Sequence, residues 1–378
     1  MAEPTEYEVA TGAVGDSDVS ADPDPGNGTP NPSAPDSWSE PSWTARLRRS
    51  VSFQNISAIY IFIALFIIFS LWVPSTFLTS STWRTLISEQ SITCLASIGL
   101  VVPIAAGVID LAIGSEVGIG AILVAWLLAD RHASIPFAIV LTLASGVIMG
   151  VTIWFLVVRV RINSFIATLG ISSVLLAGIE WISGEQQILN LPLSFQNIAT
   201  DQFLGLTYPV YIMVAVALIV WYVLERTPAG RQVYATGGNI EAAGLTGIRT
   251  SRVILFATIT CGVIAAGAGL LQSSQIATGD PTIGPPYLLP TITAVFLGST
   301  QFRGGRCNVW GTVLGTYVIA TGVKGLQLAG APLWIPDLFD GVALLLAVGI
   351  AGYQRSPTAR TAAIRRALRG IRRPGVVR

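Results

Sequence analysis

Residues 135–158 read IPFAIVLTLASGVIMGVTIWFLVV, 24 consecutive positions without a charged side chain. A helix needs about 20 predominantly apolar residues to cross a bilayer, and this stretch has both the length and the composition. Asp130, Arg131 and His132 precede it, and Arg159 and Arg161 follow it. Working outward, similar runs recur near 53–73, 86–108, 115–129, 163–183, 207–224, 252–274, 287–301, 308–328 and 333–352. The reading is therefore an all-α polytopic membrane protein of about ten transmembrane helices.

Composition agrees. The chain has 378 residues, 52% hydrophobic and only 11% charged, with a mean hydropathy of +0.65. Soluble domains carry roughly 25% charged residues, so this is not the composition of a soluble enzyme or a nucleic-acid binder. Of 43 charged residues, 12 precede Phe53 and 8 follow Gly352, which leaves 23 for the 300 positions between. That is too few to solvate a globular surface. Three parts follow: an acidic, Pro-rich tail over 1–50, expected to be disordered, a transmembrane domain over 51–352, and an Arg-rich tail over 353–378.

Basic residues orient the spans, because cytoplasmic loops carry the excess of Lys and Arg. With ten spans and the N-terminus inside, 19 of the 22 basic residues fall on the cytoplasmic side, and only Arg84, Arg131 and Lys324 fall outside. Both termini are thus expected in the cytoplasm of a cell-membrane protein. Arg46, Arg48 and Arg49 anchor the first span, and the C-terminal arginines suit anionic lipid headgroups. Lys324, at a helix end, is expected to snorkel to the interface. Glu116 and Glu180 read as end-of-span residues. Cys94, Cys261 and Cys307 have no paired spacing, so neither a disulfide framework nor a zinc site is expected. The lone His132 reads as a solvated loop residue.

An internal repeat bears on mechanism. Residues 99–114 read GLVVPIAAGVIDLAIG and 269–284 read GLLQSSQIATGDPTIG, sharing Asp110/Asp280, Ile113/Ile283 and Gly114/Gly284. On the predicted topology the first lies inside and the second outside, which suggests inverted halves of four spans, about 86–183 and 252–352. The first and sixth spans are then peripheral. Each Asp-x-x-Ile-Gly precedes an unusually short span, and short, interrupted segments in matching positions point to a translocation path. Asp110 and Asp280 read first as turn-forming residues at those helix starts, with a place beside the path as the second reading. Gln90, Thr93 and Ser97 share one helical face, as do Thr168 and Ser172, and Thr312 and Thr316. Ser and Thr inside helices often bond back to their own backbone; the alternative is a polar stripe toward the path.

The largest inner loop, 225–250, reads ERTPAGRQVYATGGNIEAAGLTGIRT and includes Arg231. Asn239 suits an N-cap, Glu241 suits the first helical turn, and Gly247 suits a left-handed C-terminal position. A helix of about two turns is expected between them, with small Ala242 and Ala243 and an apolar Leu245. So short a helix needs a surface to dock on. No G-x-x-x-x-G-K-[ST] occurs, so the chain does not itself bind ATP through a P-loop.

The run GGNIEAAGLTGI at 237–248 resembles the cytoplasmic coupling loop of ABC importer permeases of the ribose and monosaccharide branch. GVIDLAIGS at 107–115, INSFIATLG at 162–170 and AVFLGSTQFRGGRCNVWGTVLG at 294–315 resemble further segments of that branch, with departures at Ala112, Ser299 and Cys307–Asn308. The resemblance covers roughly 55–350. It implies a sugar-translocating subunit, not an enzyme, with no cofactor of its own. Its partners would be a cytoplasmic ATPase holding ATP–Mg, an extracytoplasmic sugar-binding protein and a second permease copy, with no nucleic acid. Arg231, Asn239, Glu241, Ala242, Ala243, Leu245 and Gly247 would form the ATPase-coupling element. Gln90, Thr93, Ser97, Asp110, Thr168, Asp280 and Thr312 would line the path, with Phe165 offering a face for sugar stacking. A branched-chain amino-acid permease of the same fold is the alternative, and an ion-coupled secondary transporter a third reading.

Overall fold

In the computed structural model, residues 57–299, 306–332 and 334–355 are described. The tails over 1–50 and 356–378, and Arg303, lie outside the described residues. Helices stand at each of the ten predicted segments. They are α1 Ser57–Trp72, α2 Ser80–Ala105, α3 Ile113–Ala129, α4 Ile135–Trp154, α5 Ser164–Ser183, α7 Tyr208–Arg226, α10 Thr250–Ile276, α11 Leu288–Ser299, α12 Val309–Leu328 and α13 Ile335–Arg355. A π-turn, Phe155–Arg159, extends α4. Five of these helices (α2, α4 with its π-turn, α5, α7 and α10) are long and apolar enough to cross a membrane by themselves.

Among the elements not foreseen are a four-residue helical turn, Pro74–Phe77, a 3-10 turn, Pro285–Tyr287, and three that matter for the site. The amphipathic helix α6, Leu193–Thr200, and a minimal hairpin of β1 Gln202–Phe203 with β2 Leu206–Thr207 fill the connection between α5 and α7. Before the expected short helix α9, Ile240–Leu245, stands a further helix α8, Pro228–Gly238, with Pro228 at its start. Proline is tolerated there because the first-turn N–H has no intrahelical partner.

The core is a seam between α2 and α10. Of their most apolar stretches 78% and 61% is buried, against 22–33% for α4, α5 and α7, so the latter three face outward. Their outward side chains are apolar, as at Val174 and Trp181, which suits lipid. Arginines lie over tryptophans near three helix ends: Arg131 on Trp126, Arg159 on Trp154 and Arg226 on Trp221, 4.5–5.7 Å from the ring centroids. Such pairs suit a membrane–water boundary, where amphipathic rings sit at headgroup depth.

Packing follows a repeated scheme. α10 packs against α3 and α4, while α2 packs against α11 and α12. Likewise α3 packs on α5 and α11 on α13. Without a hydrophobic drive between helices in lipid, close approach depends on small residues. A Cβ on Gly120 of α3 would lie 2.6 Å from the Ala266 carbonyl oxygen of α10, so only glycine permits that approach. The two Asp-x-x-Ile-Gly segments also meet: a Cβ on Gly114 would lie 2.8 Å from the Gly284 carbonyl oxygen. α1 packs on α12, and α7 on α2.

Candidate functional site

Two cavities follow one another along the α2–α10 seam. The first opens at the hairpin end, has a volume of about 440 Å³, and is lined among others by Arg84, Glu89, Gln202 and Gln275. One turn further along both helices lies a second cavity of about 390 Å³, lined by Thr93, Gln272, Thr282, Ile283, Pro286 and Tyr287. The Tyr287 hydroxyl donates to Gln272 Oε1 at 2.7 Å, leaving the amide nitrogen of Gln272 as a donor. The lining thus combines two hydroxyl-bearing threonines, an amide and a phenol, with no charged side chain among them.

Asp280 supports this wall from behind. Its Oδ1 accepts from the Thr282 amide (2.8 Å) and hydroxyl (2.7 Å), and its Oδ2 accepts from Gln187 Nε2 (2.7 Å). Partial burial works against the charge, but these bonds to the ionised form outweigh it and hold the carboxyl below its ordinary range. A backbone bridge between Ile188 and Gly279 ties the same segment to the α5–α6 connection. The turn-forming reading of Asp280 describes its geometry.

Asp110 is different. It is fully buried after the end of α2, with Oδ1 accepting from the Ala112 amide at 2.9 Å and Oδ2 unpartnered. Thr168 sits beside it, accepting from the Leu111 amide at 3.1 Å and donating to the Ser164 carbonyl at 2.8 Å. The predicted path residues therefore separate into two groups. Thr93 lines the second cavity and Asp280 stands behind it, whereas Asp110 and Thr168 lie together around the start of α3, with the half-exposed Phe165 nearby at the start of α5. Ser97 and Thr312 are fully buried and donate to the carbonyls of Thr93 (2.7 Å) and Asn308 (3.0 Å), one turn back in their own helices. Gln90 is partly exposed on α2.

Gln272, Thr282 and Tyr287 were missed by sequence reasoning. Gln272, a long polar side chain inside an apolar span, was the signal available. Two further expectations concern charged residues. Lys324, expected to snorkel, lies near the end of α12 with its Nζ 3.4 Å from Glu89 Oε2 beside the first cavity. Glu116 stands at the helix end as expected, in the first turn of α3, but it does not reach the interface: it is fully buried because that turn is packed beneath α10.

At the opposite end of the seam, Asn239 ends α8 and caps α9, its Oδ1 accepting from the Ala242 amide at 2.9 Å. Gly247 takes the left-handed conformation (φ 86°) that releases the chain into α10. Leu245 is 90% exposed, and Ile240, Glu241 and Ala242 are exposed with it. Ala243 was expected on the docking face, but it is buried, because it is the contact that seats α9 on the domain. Arg231 is exposed on α8, and Arg249 and Arg252 flank a groove of about 450 Å³ beside Gly247. A Cβ on Gly107, in the segment after α2, would lie 3.2 Å from the Gly237 Cα of α8, so α8 rests directly on the break before α3.

Residues 84–348 match the family described as branched-chain amino acid transport system / permease component. The chain is 30% identical over 278 residues to the ribose import permease protein RbsC of Escherichia coli K12, covering 72% of this chain and 86% of that one. It is 32% identical over 286 residues to RbsC of Bacillus subtilis 168, covering 75% and 88%. With the autoinducer 2 import system permease protein LsrD of Photorhabdus temperata it shares 32% identity over 273 residues, covering 70% and 81%. No solved structure matches the chain.

Proposed function

The chain belongs to the family of permease components of branched-chain amino acid transport systems, and from that premise we propose that the second cavity is where its solute passes. The protein is a multi-pass cell-membrane transport subunit of an ABC sugar importer, since relatives matching over most of their length import ribose and autoinducer 2. It is a non-enzymatic component. The observation that carries the sugar reading at the site is the uncharged lining of Thr93, Gln272, Thr282 and Tyr287. Hydroxyls and an amide suit a polyhydroxylated solute, whereas a free amino acid brings an ammonium and a carboxylate that need paired charges when desolvated. A branched-chain amino acid is therefore disfavoured as the solute, and so is ion coupling, which calls for intramembrane charge along the path.

The finer architecture is ten spans with both termini cytoplasmic, in two inverted halves. It is supported by the 19 to 3 division of basic residues, by the matching packing of α2 and α10, and by the contact between Gly114 and Gly284. On that orientation the hairpin cavity faces an extracytoplasmic binding protein, and α9 faces a cytoplasmic ATPase that holds ATP–Mg. Two permease copies, each with tails over 1–50 and 353–378, complete the importer. ATP-driven closure passes from α9 through α8 to the break before α3.

Uptake by proteoliposomes carrying permease, ATPase and binding protein tests this. Accumulation is expected to stop when ATP is removed with proton and sodium gradients kept, and Gln272→Leu to lower uptake about five- to tenfold, the worth of roughly 1–1.5 kcal/mol for one lost hydrogen bond. Accumulation that continues without ATP overturns the coupling, and competition by leucine but not by pentoses overturns the solute class.

A further inference from the structure

Beneath the break in the chain after α2, three side chains from three places in the sequence converge: Asp110 in the break, Glu116 in the first turn of α3 and Cys261 midway along α10. All three are fully buried, and their ligand-type atoms lie within 4.8 Å of one another. Both Glu116 oxygens and Asp110 Oδ2 have no hydrogen-bond partner. Buried polar groups are nearly always paired, and a buried carboxylate is costly without a counter-charge. Protonation does not resolve the arrangement, because a neutral acid still carries a hydroxyl that must find an acceptor. A shared proton would draw two carboxyl oxygens to about 2.5–2.7 Å, yet Asp110 and Glu116 make no hydrogen bond to each other, and the cluster's internal contact is that of the Cys261 thiol with Asp110. Ligand-type atoms crowded together, with three carboxylate oxygens left without a partner, are what a common cation organises.

We infer that Asp110, Glu116 and Cys261 bind one divalent cation of the zinc class. Two carboxylates balance its charge, and a sulfur donor selects a borderline metal over magnesium or calcium, which take oxygen. Gly107 and Ile109, in the same break as Asp110, are exposed. The bound ion would join the break before α3 to α10, in the same segment whose Gly107 meets Gly237 of α8. It therefore braces the surface on which α8 rests. Linear sequence hides the site, since Cys261 is separated from Asp110 by more than a hundred residues.

The full-length chain purified in detergent, stripped with chelator and then dialysed against Co²⁺, is the test. One cobalt per chain is expected, with a sulfur-to-cobalt charge-transfer band that Zn²⁺ displaces. Cys261→Ser should abolish the band while Cys94→Ser and Cys307→Ser keep it. Glu116→Gln should weaken binding by at least about tenfold, the loss that even outer-shell partners of a metal cause. In the unmodified chain, Zn²⁺ should protect Cys261 from a maleimide, read peptide by peptide in a mass spectrometer, so the test stands if a variant does not fold. No retained cobalt, a band that survives Cys261→Ser, or equal maleimide labelling with and without Zn²⁺ overturns the site.

Discussion

Asp110 and Asp280 occupy matching places in two Asp-x-x-Ile-Gly segments, yet their carboxylates meet opposite surroundings. Asp280 is partly exposed and satisfied by Thr282 and Gln187, whereas Asp110 is buried with one oxygen unpartnered. Because the folded state holds Asp280 below its unfolded value of roughly 3.9, its bonds stabilise the 279–283 turn at every pH above that value. The contribution is lost as pH falls through the folded value. Asp280→Asn is therefore expected to speed hydrogen exchange of the Thr282 amide at pH 7, with wild type converging on the variant as pH falls below about 4. Equal protection in the two proteins at pH 7 would show that the turn is held by the Ile188–Gly279 bridge alone.

At the scale of an element, α9 is delimited by local chemistry and oriented by tertiary contact. Asn239 and Gly247 mark its ends in the sequence, and the structure uses both. Which face turns outward is a different matter: Ala243 seats the helix and Leu245 is the exposed apolar residue. If α9 is the ATPase-docking element, Leu245→Asp should cut copurification of the ATPase at least tenfold and leave the detergent melting temperature of the permease unchanged. Ala243→Arg forces bulk into a packed site and should cost roughly 1–3 kcal/mol of stability, lowering that melting temperature. Undiminished copurification of Leu245→Asp would move docking to another surface of the loop, such as the Arg249–Arg252 groove.

For the whole molecule, the seam between α2 and α10 carries the architecture, and glycines set its spacing. Gly120→Val must push α3 away from the Ala266 backbone, and it is expected to destabilise by roughly 1–3 kcal/mol. Gly170→Val on α5, where a Cβ meets nothing within 4 Å, should leave the unfolding midpoint in place. A Gly120→Val protein as stable as wild type would mean that α3 and α10 are not held by backbone contact. The same packing explains why the cavities are consecutive. Ser88 and Thr93 on α2, and Gln275 and Gln272 on α10, each advance about one turn from the first cavity to the second.

Sequence by itself determined the mostly helical membrane class, the positions of the long apolar helices and the limits of the short helix α9. These rest on apolar run length, on charge and on capping chemistry, all of which act within a few residues along the chain. The matching Asp-x-x-Ile-Gly segments were legible too, although not that their glycines touch. Only the tertiary structure decided which polar side chains face a cavity. A threonine in a membrane helix can bond to the carbonyl one turn back or turn toward a neighbour, and Ser97 and Thr312 take the first course while Thr93 lines the space beside Gln272. Tertiary structure alone also brought Glu116 and Cys261 to Asp110. Hydropathy records that a residue is polar, but its neighbours across the bundle depend on helix rotation, which packing between distant segments sets.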